Sequence, residues 1–208
     1  MKSDNRSESA RKTSRRVDFF RGKRDYLRAA DVLSAAPFET IPDSFQFFFK
    51  KVARQSGEWK RQDITPGSDA IPTSAASLTM TFAQHKEKWD FIIDEPGLIT
   101  KRTLEIDEDS LFSDIRLTEE ELVCTLAGAL SLWDFLVAAA RAGGLHFFPN
   151  TQWYLPYITG NQDCFPAQLE GLPLTLRLGR TRAGFVEINF ALGNRTAGKL
   201  GLFRKKDS

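Results

Sequence analysis

Cysteine, histidine and methionine each occur only twice in 208 residues. Cys124 and Cys164 allow at most one bridge, and a chain of this size needs no covalent staple. His85 and His146 lie far from each other and from both cysteines, so no zinc-ligand spacing exists. The acidic run Asp107-Glu108-Asp109 lacks the glycine and closing glutamate of a calcium loop. No metal and no cofactor is therefore expected. A Gly-x-Ser-x-Gly elbow is also missing. Gly179 to Gly184 holds Arg180 and Arg182 between its glycines, but it joins two alternating segments. A phosphate cradle would instead open a helix. The longest apolar run, Leu122 to Leu145, is interrupted by Asp134 and Arg141, which argues against a membrane span. No apolar leader opens the chain. With the scarcity of cysteine, this sets the expectation of a cytoplasmic, reducing location and of a protein that is not integral to a membrane. Neither cysteine is placed as a nucleophile. Cys124 falls on an apolar face, and Cys164 has the carboxylate of Asp163 beside it, which disfavours the thiolate.

Tyrosine is scarce and phenylalanine is not, with 3 Tyr against 17 Phe. Phe buries as much area as Tyr without a polar handle. The excess therefore points to a dry aromatic core or to an apolar pocket. Hydrophobic residues make up 41% and charged residues 27% of the chain, a balance that suits a globular protein.

Charge is unevenly placed. Residues 1–28 hold ten Lys/Arg against four Asp/Glu, a balance of +6, and the remaining nineteen and twenty-three leave −4. Residues 1–16 have no apolar periodicity and are expected to be a disordered basic arm, with a single α+β domain over 17–208. The arm and its junction, Arg11, Lys12, Arg15, Arg16, Arg21, Lys23 and Arg24, form the candidate binding segment. Lysines and arginines so clustered neutralise phosphates on nucleic acid or anionic lipid. They also suit a solubilising tail or a basophilic phosphorylation site at Thr13-Ser14.

Along the body, Tyr26, Leu27, Ala30 and Leu33 share one face of a helix expected from Lys23 to Ala36, ended by Pro37. Phe45–Val52 and Glu58–Ile64 read as a hairpin across Ser56-Gly57. Residues 65–76 read as a loop. Ser77–Phe82 and Lys88–Ile93 read as a second hairpin, followed by a turn at Asp94-Glu95-Pro96-Gly97 and a strand over Leu98–Ile106. Thr118-Glu119-Glu120-Glu121 has the form of a capping box. It predicts one long helix over 119–142, ended by Gly143-Gly144. His146 follows the glycines and precedes Phe147-Phe148, so it is the candidate general base in an aromatic setting, or a satisfied structural histidine. Leu172 to Leu178, Val186 to Phe190 and Lys199 to Phe203 alternate as strands of an antiparallel meander, with turns at Gly179–Gly184 and Gly193-Asn194.

The expected fold is thus α+β, with antiparallel sheet packed on one long central helix. The order of elements allows two helix-plus-meander halves, 17–106 and 112–204, in a double-hotdog-like arrangement or an ordinary α+β sandwich. Arg16-Val17-Asp18-Phe19-Phe20-Arg21-Gly22-Lys23-Arg24, with Arg28 after it, resembles the cytosolic N-terminal segment of a family of endoplasmic-reticulum translocation subunits. It covers about a tenth of the chain. That family continues into a winged-helix region and two membrane helices. The resemblance implies a protein-translocation-associated factor.

Two functional readings follow. The first is a non-enzymatic binding or adaptor protein, whose arm meets a protein partner, an anionic surface or nucleic acid. The second is a hotdog-like enzyme or carrier that holds an acyl or aromatic ligand in an apolar pocket.

Overall fold

The structure, a computed structural model, describes residues 16–21, 23, 26–51, 53–62, 74–93, 99, 101–103, 111–127, 131–149, 151 and 153–204. The expected turn at 94–97, the acidic run 107–109 and most of the loop at 65–76 lie outside them.

Thirteen strands and two α-helices are formed by these residues. In chain order they are β1 (Arg16–Val17), β2 (Phe19–Arg21), α1 (Ala29–Ser34), β3 (Ser44–Phe49), β4 (Gly57–Arg61), β5 (Ser74–Thr81), β6 (Lys86–Ile93), β7 (Lys101–Thr103), β8 (Phe112–Leu117), β9 (Glu121–Leu126), α2 (Leu132–Phe147), β10 (Trp153–Asn161), β11 (Pro173–Arg182), β12 (Phe185–Leu192) and β13 (Arg195–Arg204). Eleven strands make one sheet in the order β1-β4-β6-β5-β3-β10-β13-β12-β11-β9-β8, and β2 pairs with β7 in a separate parallel pair. Every pairing within the large sheet is antiparallel. The α+β class with one long helix against an antiparallel sheet is therefore as the sequence implied.

The helix boundaries are not. Residues 119–126 do not open the long helix. The Thr118 N–H donates to the Glu121 carbonyl at 2.8 Å, and the Glu121 N–H donates to Thr118 Oγ1 at 3.0 Å. The capping bond is made, but it closes the turn between β8 and β9. Leu122, Cys124 and Leu126 are buried while Glu121, Val123 and Thr125 are half-exposed. That period of two is the pattern of a strand, and Val123 and Thr125 are β-branched. Cys124 therefore sits on a strand and not in the helix. The long helix starts at Ser131, whose Oγ accepts from the Asp134 N–H at 3.3 Å, as serine does at an N-cap.

Gly143 and Gly144 do not end α2. They lie inside it, because the helix rests directly on the sheet. A Cβ at 143 would stand 3.2 Å from Leu176 Cδ1, and one at 144 would stand 3.1 Å from Trp153 Cδ1. Each helical glycine costs about 1 kcal/mol relative to alanine, and the close helix–sheet contact offsets it.

The hairpin expected between residues 45 and 64 is also replaced. β3 pairs with β5 and β10, whereas β4 pairs with β6 and β1. Ser56-Gly57 is no turn. Gly57 opens β4 because a Cβ there would fall 2.5 Å from the Ile92 carbonyl oxygen. β3 and β10 stand at the middle of the sheet, in register from Tyr157↔Phe48 to Asn161↔Ser44. Each is the strand that follows a helix. From β10 outward, β13, β12 and β11 form the expected meander. From β3 outward the order is β5, β6, β4, so the connection from β4 to β5 passes over β6.

α1 is shorter than expected, at Ala29–Ser34. The hairpin of β5 and β6 is formed as expected. The turn between β11 and β12 narrows to Ala183-Gly184, since β11 runs on to Arg182. Much of the phenylalanine excess is core: Phe45, Phe47, Phe91, Phe135 and Phe190 are fully buried. Phe38, Phe45, Trp133 and Phe165 pack ring on ring, with centroids 5.1–6.0 Å apart. Among the described residues, no helix is long and apolar enough to cross a membrane.

Candidate functional site

Where α1, α2 and β10 meet, the surface opens into a cleft of about 580 Å³. Val137, Arg141 and Leu145 of α2 form one wall. Trp153, Tyr154 and Leu155 of β10 form the other, with Phe49 of β3 behind them and Tyr26 and Arg28 ahead of α1. The helical residues share one side because 137, 141 and 145 are spaced by four. Val137 is half-buried, while Leu145 is 54% exposed, Tyr154 52% and Tyr26 38%. Scattered exposed apolar residues need no explanation, but three converging on one concavity do.

Behind the cleft lies a buried charge pair. Arg28 Nη2 stands 3.6 Å from Asp134 Oδ1, with the two side chains only 4% and 3% exposed. Asp134 Oδ2 also accepts from Ser131 Oγ at 2.8 Å. The Arg28 backbone N–H donates to Asp31 Oδ2 at 3.4 Å. Helix α1 is thus tied to the first turn of α2 by charge, and the guanidinium involved also lines the cleft. Trp153 adds a donor to the wall. Its indole N–H is buried and has no acceptor among the described residues.

The candidate base stands elsewhere. His146 is in the last turn of α2, and its Nε2 lies 2.6 Å from the Thr118 carbonyl oxygen. A carbonyl only accepts, so Nε2 carries the proton and the ring fastens the helix to the β8–β9 turn. His146 is not among the residues lining the cleft. The other histidine, His85, lies flat on Phe82 with ring centroids 4.7 Å apart, and its Nε2 is 3.5 Å from Glu87 Oε1.

Of the candidate binding segment, Arg11, Lys12, Arg15 and Arg24 lie outside the described residues. Arg16 is exposed in β1 and donates from Nη2 to Ser56 Oγ at 3.2 Å. Arg21 closes β2 opposite Thr103, and Lys23 is exposed in a turn. None of these lines the cleft. The cleft itself was missed because strand β10 was missed: Pro156 and Gly160 interrupt the alternation that would have revealed it.

Both thiols are inert by position. Burial pushes Cys124 up to about 12. Burial, with a smaller push from the Asp163 carboxylate, does the same to Cys164. Neither should react with a disulfide reagent at pH 8 in the native protein, and both should react once it is unfolded. The folded values lie above the ordinary 9.0. Their contribution is therefore complete below about pH 9 and is lost as pH rises towards about 12, because only the unfolded chain can ionise there. Rapid labelling of the native protein at pH 8, counted by mass, would contradict this.

No protein-family model and no curated protein sequence matches this chain. Solved structures do. A tesB protein of Mycobacterium avium subspecies paratuberculosis superposes with a TM-score of 0.56 at 9% identity, covering 91% of this chain and 92% of that one. A putative thioesterase II from Thermobifida fusca gives 0.49 at 13% identity, covering 88% of each chain. The dehydratase domain of a mycocerosic acid synthase-like polyketide synthase gives 0.47 at 11%, covering 88% and 83%. The first of these carries the assignment of fold, and at 9% identity it carries nothing more. The antiparallel sheet around one long helix is a hotdog fold.

Proposed function

We propose that this protein is a hotdog-fold binder of an acyl or aromatic ligand, which it holds in the cleft between α2 and β10. The observation that carries the reading is the convergence of Tyr26, Leu145 and Tyr154, all exposed, on one concavity of about 580 Å³. That size lies within the usual ~300–1,000 Å³ of small-molecule sites. The described lining supplies apolar surface, two guanidiniums and the hydroxyls of Tyr26, Thr151 and Tyr154. The proposal is therefore one of binding and assigns no chemical step.

Thermal unfolding with a panel of C8–C16 acyl compounds and fused aromatics tests it. A ligand present at ~100 times its Kd adds ~2.7 kcal/mol, which in a chain of this size raises Tm by ~5–10 °C. Leu145→Glu places a charge on the exposed rim without disturbing the core, and should weaken binding at least tenfold. No stabilisation by any member of the panel would remove the reading.

A further inference from the structure

The geometry points to a carboxylate-headed amphiphile as the ligand of the α2–β10 cleft, an inference that rests on the binding function proposed above. Trp153 is the first observation. Its indole nitrogen is a donor only, it is buried, and it has no acceptor among the described residues. Buried donors are satisfied in the great majority of cases. A donor left open in the wall of a cleft calls for an acceptor that arrives with the ligand. Charge is the second. The described lining contains the guanidiniums of Arg28 and Arg141 and no carboxylate. Among the acceptors a ligand could bring, this setting favours an anion, and guanidinium matches carboxylate geometry with two parallel N–H groups. Apolar surface is the third: Val137, Leu145 and Leu155 give a chain somewhere to lie. The head group then meets Trp153 Nε1 and the arginines, and the chain runs along the α2 wall towards Tyr26 and Tyr154.

Three compounds of one chain length separate head from tail: dodecanoate, dodecanol and dodecyltrimethylammonium, each titrated below its micelle concentration into the full chain. Dodecanoate should bind at least tenfold more tightly than dodecanol, and the cation more weakly than either. The preference should shrink as salt is raised, because an exposed arginine is screened. Trp153→Phe keeps the ring and removes the N–H. Arg141→Gln removes an exposed charge. Each should bring the dodecanoate-to-dodecanol ratio down towards one. In the wild-type protein, the indole N–H resonance that Trp153→Phe deletes should move downfield on adding dodecanoate, a shift that a merely structural tryptophan would not show. Equal affinity for dodecanoate and dodecanol overturns the head-group assignment and leaves the cleft as an apolar binding site. Failure of all three to bind overturns the binding function as well.

Discussion

Asp134→Ala is expected to cost about 3–5 kcal/mol of folding free energy, the range seen when one partner of a buried ion pair is removed. Total stability of a domain is ~5–15 kcal/mol, so the variant should unfold at markedly lower urea. The cause is the stranded partner. Arg28 is 5% exposed and cannot lose its proton, so without Asp134 its charge stays buried. The Asp134 carboxylate also holds Ser131 Oγ at 2.8 Å, so the first turn of α2 loses part of its cap. A second variant separates charge from shape. Arg28→Met with Asp134→Leu removes both charges and keeps most of the volume, and it should be close to wild type or more stable. If Asp134→Ala costs under ~1 kcal/mol, water entering by the cleft must be solvating Arg28, and the pair does not tie α1 to α2.

That pair also shows what was legible in the sequence and what was not. Two segments have the form of a capped helix start, Thr118-Glu119-Glu120-Glu121 and Ser131-Leu132-Trp133-Asp134. Both make the local bond. What separates them is the residues that follow. Leu122-Val123-Cys124-Thr125-Leu126 has the period of a strand. Phe135, Leu136, Ala139 and Ala140 keep one helical face, and all four are buried. Local hydrogen bonding was readable, but its meaning depended on pairing with β11, from Pro173↔Thr125 to Arg177↔Glu121. The C-terminal meander was readable because each strand has one buried face and each turn its glycine. Gly184 and Gly193 hold φ of +75° and +59°. The cleft was not readable. It joins residues 26–28, 137–145 and 153–155, and only a central β10 brings those three segments together. His146 stood out as a lone histidine beside aromatics. The lone donor that matters to the cleft is instead a tryptophan, a residue whose N–H attracts no notice until its burial is known.

Gly198→Ala is the second large effect, and it tests the middle of the sheet. Gly198 of β13 faces Gly160 of β10 and Phe190 of β12. A Cβ built on it would lie 2.0 Å from the Thr159 carbonyl oxygen, 2.8 Å from Phe190 Cε1 and 2.9 Å from the Gly160 Cα. Two of those three contacts are with backbone, so no rotamer change relieves them. The strands must separate, and the ladder from Tyr157↔Gly201 to Gly160↔Gly198 must open at one end. Overpacking alone costs ~1–3 kcal/mol, and each lost ladder hydrogen bond adds ~0.5–1.5 kcal/mol. A loss of at least ~3 kcal/mol, or ~6–12 °C in Tm, is expected. Gly184→Ala is the control. Gly184 has φ of +75° and nothing within 4 Å of the added methyl, so its cost is only the ~1–2 kcal/mol of a left-handed backbone. If the two variants unfold at the same temperature, the strands at Gly160 and Gly198 are not held as closely as the structure has them. The seam between β3, β10 and β13, on which Trp153 and the cleft wall depend, would then be looser than the binding function requires.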